Sequence, residues 1–356
     1  MKKYLNILFS IFFFTHLFAQ ESLSNTIVKK IHSDVLNEDR VIDIQLPKNY
    51  ANNTYDLAKY PVIYVLDGEN NFTYIASLER FGTKFLYRNF PEMIVVGIRN
   101  TDRTRDFTPT VPKNDFTPHQ KSFVNGGGAD NFIKFIETEL QPFINTNYRT
   151  NGFDILHGHS FGGLFSIYTL LSNQSLFDAY IALDPSLWWD NKVVYNKAKN
   201  DFVSSNYQNK SLFVALAYEA EQDAKDRLQH GNTIRNFCET ILPSYPKKNF
   251  FYNWKYYPDY DHGTVPIPAS FDALIKIFKG IELPVKEIPK NPQLLIDHYQ
   301  KLSEKLGFYF IPEESLLIEL IKYCKSVNKP ESAKFIVNYA LKIYPNNQLL
   351  LKMKSE

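Results

Sequence analysis

The feature that most constrains this chain is a series of short, continuous apolar runs separated by amphipathic stretches. The runs are Tyr60–Leu66, Met93–Ile98, Phe153–Gly158, Tyr180–Asp184, Leu212–Ala217 and Phe250–Tyr257. Each has the length of one strand and lacks the polar alternation of a half-solvated one, so each is expected to be buried on both faces. Helical spacing fills 129–140, 162–171, 223–242 and 270–279. Apolar strands alternating with amphipathic helices predict an α/β fold, a mostly parallel sheet covered on both sides. From Thr26 to Leu46 the pattern alternates around Asn37-Glu38-Asp39, which predicts an antiparallel hairpin at the edge of that sheet. After Leu283-Pro284, and past Pro289 and Pro292, the strand signals stop. Residues 293–356 read as three helices, and Ala333–Asn346 resembles the second helix of a single tetratricopeptide unit. A lone repeat cannot bury its own face. This tail is therefore expected to pack on the main domain or on a second copy of the chain.

The first residues are read as an address rather than as fold. Met1-Lys2-Lys3 is a positive start, Tyr4–Phe18 is almost entirely apolar, and Ala19 closes the run. That predicts a signal peptide over 1–19 and an exported, periplasmic or secreted protein. The run is shorter than the roughly 20 residues of a membrane helix and carries His16. The main domain is then expected over 20–284. With 40 basic and 38 acidic residues the net charge is only +2, so no global field attracts nucleic acid. Cys238 and Cys324 stand far apart with no Cys-x-x-Cys or neighbouring histidine. They read as two buried thiols, with no metal site and no cofactor expected.

Chemistry is concentrated at Gly158-His159-Ser160-Phe161-Gly162-Gly163, which ends one apolar run and opens a helical pattern. A G-x-S-x-G turn between strand and helix pushes its serine out of the sheet on a strained backbone, and glycines on either side let chain pass close by. Ser160 is the expected nucleophile of an α/β-hydrolase. That fold places its base last, and His262 follows the final apolar run, inside Asp259-Tyr260-Asp261-His262-Gly263. The acid is expected after Leu212–Ala217, where Glu219, Glu221 and Asp223 are all able to hold an imidazole N–H. The amides of Phe161 and of Gly68 or Glu69, in the loop after Tyr60–Leu66, are the candidate oxyanion donors. Trp188 and Trp189 are candidates for a substrate wall. Arg103 and Arg105 are candidates for holding an anionic substrate group or, alternatively, for fixing their own loop through Asp102 and Asp106.

Taken together, Val65-Leu66-Asp67-Gly68, Asn100-Thr101 with Arg103 and Arg105-Asp106, the Ser160 turn, Pro185-Ser186-Leu187-Trp188-Trp189 and His262-Gly263 resemble the esterase D-like family. Ferric-enterobactin-type siderophore esterases and feruloyl esterases are among its members. The resemblance spans residues 25–280 and implies hydrolysis of a small-molecule carboxylic ester through a Ser-His-acid triad and an acyl-enzyme. It also implies that Tyr218-Glu219-Ala220-Glu221, which matches a Gly-Glu-x-Glu-like stretch except at its glycine, supplies the acid as Glu221. The alternatives carried forward are an acyltransferase or peptidase on the same fold, and a non-catalytic binding protein that works through its helical tail.

Overall fold

The computed structural model describes residues 26–52, 58–83, 86–112, 123–218, 224–245 and 249–355. The expected signal peptide lies outside them. The chain forms one sheet of eight strands in the order β1-β2-β4-β3-β5-β6-β7-β8. Its leading hairpin is β1 (Ile27–Ser33) and β2 (Glu38–Gln45). Antiparallel pairing joins β1 to β2 and β2 to β4, and every later pairing is parallel. The remaining strands are β3 (Tyr60–Leu66), β4 (Ile94–Ile98), β5 (Thr150–His159), β6 (Ala179–Leu183), β7 (Ser211–Ala217) and β8 (Phe251–Tyr257).

The apolar runs are continuous because successive side chains enter two different cores. In β3, Val62, Tyr64 and Leu66 face one side, and Ile63 and Val65 the other. The first side is covered by α2 (Arg103–Phe107), α3 (Ala129–Phe135), a π turn at Ile136–Leu140, α4 (Gln141–Asn147), α5 (Phe161–Ser172), α6 (Trp189–Ser204) and α7 (Ala224–Asn236). The second side is covered by α1 (Gly68–Gly82), α8 (Pro266–Ile277) and the C-terminal helices. At the free edge, β8 is largely half-buried or exposed, as a strand with one neighbour is. Cys238 and Cys324 are buried and unpaired, 86 positions apart in the chain. No helix among the described residues is long and apolar enough to cross a membrane.

The tail holds four helices rather than the expected three: α9 (Gln293–Leu306), α10 (Glu314–Ser326), α11 (Pro330–Ile343) and α12 (Gln348–Ser355). The extra helix follows Asn347, whose Oδ1 accepts the Leu350 amide at 2.9 Å and so caps a short run that has little apolar periodicity of its own. The tail shares its core with the sheet. Phe153 of β5 meets Phe278, Phe308 and Phe310 at centroid distances of 5.7, 5.3 and 5.1 Å. A buried ion pair, Arg88 to Glu313 at 2.8 Å, ties the segment before β4 to the start of α10.

Near this junction Glu79 of α1 is buried and accepts the Met93 amide at 3.1 Å. Burial pushes its carboxyl up to about 8, against about 4.3 in an unfolded chain. The folded state therefore binds this proton more tightly, and the cost of ionising it grows as pH rises from about 4.3 towards 8. Glu79→Gln keeps the acceptor and removes the ionisation. Its melting temperature is expected to exceed that of the wild type at pH 8 and to come close to it at pH 4. Equal melting temperatures at both values would refute this account.

Candidate active site

Sharp reversals at the carboxyl ends of three neighbouring strands, β3, β5 and β6, build the site. This is also where the strand order switches direction, since β3 leads to β4 on one side and β5 lies on the other. Ser160 follows β5 with φ 60° and ψ −115°, a backbone state that side-chain-bearing residues rarely adopt. Hydrogen bonds over-determine it. Its amide donates to Leu183 O at 2.9 Å, and its carbonyl accepts from Leu164 at 2.9 Å and from Ser186 at 3.1 Å. A Cβ on Gly158 would lie 2.2 Å from the Gly162 carbonyl oxygen, backbone that cannot yield without unwinding α5. Gly158→Ala is thus expected to cost about 3 kcal/mol or more of stability, read as a fall in the urea midpoint. A Cβ at Gly162 would meet Leu66 at 3.4 Å, an ordinary contact, so the elbow depends on the first glycine more than on the second.

His262 lies between β8 and α8. Tyr218 donates its amide to Tyr260 O at 2.8 Å, which draws this loop back over the end of β7. The Asp261 carboxylate accepts the amides of Gly263 at 3.0 Å and Thr264 at 2.9 Å and shapes the turn. The imidazole then bridges two partners. Nε2 stands 3.1 Å from Ser160 Oγ, and Nδ1 stands 2.6 Å from Asp184 Oδ2. Behind it the His159 ring lies at a centroid distance of 4.5 Å. Burial, with help from His262, pushes the pKa of His159 down to about 4, so it backs the site as a neutral ring.

Among the described residues, the carboxylate on His262 is Asp184. Glu219, Glu221 and Asp223 lie outside the described residues. Asp184 directly follows β6, which pairs with β5 in a register that sets Leu183 opposite His159. The residue after Leu183 therefore stands beside the nucleophile turn, whereas the end of β7 is one strand further away. Asp184 is 1% exposed, with Oδ1 accepting the Ala217 amide at 2.9 Å. Its Oδ2 is shared by His262 and by His230 of α7, the latter at 3.1 Å. Burial pushes this carboxyl up, but the bonds from His230 and His262 outweigh it and hold the group well below the usual carboxylate range. The sequence signal for Asp184 was its place at the very end of an apolar run. His230 carried no signal beyond helical spacing.

The expected loop at Gly68 and Glu69 is instead the first turn of α1. Asp67, at φ 54°, reverses the chain after β3, and its carbonyl accepts the amides of Asn70 and Asn71 at 2.9 Å each. Gly68 and Glu69 precede that ladder, so their amides belong to the helix N-terminus. Phe161 holds the same position in α5. Two helix N-termini, each carrying partial positive charge, thus sit at the ends of adjacent strands beside Ser160. Gly68 is needed for that approach, because a Cβ there would lie 2.8 Å from the Gly97 backbone.

The two arginines are committed within the chain. Arg105 bonds Glu38 at 2.7 and 3.1 Å and Asp106 at 2.8 Å, which ties α2 to the hairpin. Arg103 holds the Asp67 carboxylate in bidentate fashion, at 2.6 and 3.0 Å, and its Nη2 donates to His159 O at 3.3 Å. It therefore braces the two turns that flank the oxyanion position. Trp189 is fully buried against Phe161 and Phe123, and its Nε1 donates to Thr110 Oγ1 at 3.2 Å. Of the tryptophan pair, only Trp188 keeps part of its ring open beside Phe161.

A hydroxyl on a strained turn, an imidazole in reach of it, and a buried carboxylate on the far ring nitrogen form the arrangement of a serine nucleophile with its base and orienting acid. Known proteins agree with the fold. The chain aligns over 89% of its length, at 32% identity and a TM-score of 0.79, with 99% of the structure of an IroE-like serine hydrolase from Shewanella oneidensis. It is 32% identical over 183 residues to the ferri-bacillibactin esterase BesA of Bacillus subtilis, covering 48% of this chain and 63% of BesA. It is 28% identical over 166 residues to the siderophore triacetylfusarinine C esterase of Aspergillus fumigatus, covering 46% of this chain and 56% of that protein. The chain thus spans somewhat over half the length of these curated relatives. Residues 33–233, more than half of the chain, match the family model described as putative esterase, and the chain belongs to that family.

Proposed function

We propose that this protein is a serine esterase in which Ser160, His262 and Asp184 form the triad, and that its substrates are siderophore esters. The observation that carries the reading is the double contact of His262, 3.1 Å to Ser160 Oγ and 2.6 Å to Asp184 Oδ2. His262 takes the Ser160 proton as Oγ attacks the ester carbonyl. The amides of Phe161 and of Gly68 or Glu69 stabilise the oxyanion, at the two helix N-termini. Collapse of the tetrahedral intermediate breaks the ester bond, and His262 returns the proton to the departing alkoxide. A water molecule, deprotonated by the same imidazole, then releases the acid from Ser160. Asp184 keeps the His262 proton on Nδ1 and stays ionised throughout.

The siderophore class rests on relatives whose names state that activity, and on a chain of the same fold over nearly its whole described length. Export after Ala19 would place the enzyme outside the cytoplasm, and N-terminal sequencing of the exported chain tests that. The direct test combines fluorophosphonate labelling with hydrolysis of a ferric catecholate trilactone, its iron-free form, methyl ferulate and p-nitrophenyl butyrate. Labelling at Ser160 with preference for either trilactone supports the reading. Labelling with preference for methyl ferulate keeps the esterase and removes the siderophore class, and absence of both labelling and hydrolysis removes the esterase.

A further inference from the structure

The hydrolytic mechanism needs one histidine on Asp184, yet the structure supplies two. We propose that Asp184, His230 and His262 form an inhibitory site for Zn²⁺, occupied at the expense of the triad. The proposal rests on His262 being the base. Each of the three residues offers one ligand atom, and these atoms all lie within 4.8 Å of one another. They come from separate elements: the end of β6, helix α7 and the loop after β8. Two imidazoles and one carboxylate are a donor set that suits zinc, with a fourth position left to water. The carboxylate is already oriented as in metal sites, because the Ala217 amide holds Oδ1 and leaves Oδ2 to the two rings. The His262 side chain is 46% exposed, so an ion reaches the cluster from solvent without opening the core.

Distances set the cost. The imidazole nitrogens stand 2.6 and 3.1 Å from Oδ2, whereas zinc bonds of about 2.0–2.1 Å at tetrahedral angles require ligands about 3.3 Å apart. The cluster must open slightly, and the exposed His262 loop is the element able to move. Protons balance without release. When Nδ1 of His262 donates its lone pair to zinc, the single ring proton relocates to Nε2. That nitrogen then points a donor at Ser160 Oγ and cannot accept its proton, so hydrolysis stops. His230 binds through Nε2, and its proton passes to Nδ1, which is buried without a hydrogen-bond partner among the described residues. That unfavourable step makes the ion removable rather than resident.

The test uses ZnCl₂ in chelator-free buffer, with two readouts on the full chain. Competition with a zinc-responsive dye measures binding, and p-nitrophenyl ester hydrolysis, scaled to each variant's own zinc-free rate, measures inhibition. One zinc per chain is expected, inhibitory in the wild type and reversed by EDTA. Ser160→Ala, which removes no ligand, is expected to bind zinc as the wild type does. His230→Gln is expected to weaken binding by at least about tenfold, and His230→Cys, which restores a zinc ligand, to recover most of it. Unchanged zinc affinity in a folded His230→Gln variant would overturn the proposal. If the wild type hydrolyses no ester, the dye competition still decides the site, so the loss of the esterase reading and the loss of this one are told apart.

Discussion

Ser160→Ala is expected to lower kcat for ester cleavage by roughly 10⁶-fold while leaving KM and the fold nearly unchanged. The size follows from the role. Without Oγ there is no acyl-enzyme, and only the oxyanion donors and the binding surface remain to assist attack by water. The fold survives because the main-chain bonds that hold the elbow, to Leu183, Leu164 and Ser186, do not involve Oγ. Stopped-flow and steady-state rates on protein free of contaminating wild type measure the loss, and a thermal melt checks the fold. A second variant tests the strain directly. At φ 60° and ψ −115° a glycine is at ease where serine and alanine are not. Ser160→Gly is therefore expected to be as inactive as Ser160→Ala but to melt at a higher temperature. A Ser160→Ala protein that retains more than a thousandth of the wild-type rate would end the nucleophile assignment.

Asp184→Asn is expected to lower kcat by about 10⁴-fold, with Glu221→Gln within about twofold of the wild type. An asparagine amide at 184 is able to donate to Nδ1 of His262. The ring proton would then sit on Nε2, facing Ser160 Oγ with a donor instead of an acceptor. Burial sharpens the effect, since the group is 1% exposed and no water stands in readily for the carboxylate. Rate measurements on both variants, each checked by a thermal melt, decide between the two positions. A slow Glu221→Gln beside an active Asp184→Asn would return the acid to the segment after β7.

The contrast between those two residues marks where local pattern stops. The strands were legible because a run such as Tyr60–Leu66, apolar at every position, has only one comfortable place, the middle of a sheet covered on both faces. The turn at Ser160 was legible because Gly158 must pass within contact distance of the Gly162 carbonyl, and glycine is the residue that permits it. His262 was legible from chain order alone. Each of these properties depends on a few neighbours in sequence: backbone angles, period and burial.

Which carboxylate meets His262 depends instead on which strands lie side by side. β6 pairs with β5 and β7 does not, so the residue after Leu183 comes beside the elbow. No short-range pattern encodes that order, because it is set by the crossovers that pack helices on both faces. The same holds for Arg103 and Arg105, whose partners Asp67 and Glu38 are 36 and 67 positions away. It holds for the tail, whose Phe308 and Phe310 find Phe153 across the domain. The sequence by itself determined the layered α/β sheet and the tight glycine-flanked turn that carries Ser160, and it pointed to His262 in the last loop. Tertiary structure decided that Asp184 meets His262, that a second histidine shares it, that the arginines act as braces and where the C-terminal helices sit, because each is a contact between residues that only the assembled sheet brings together.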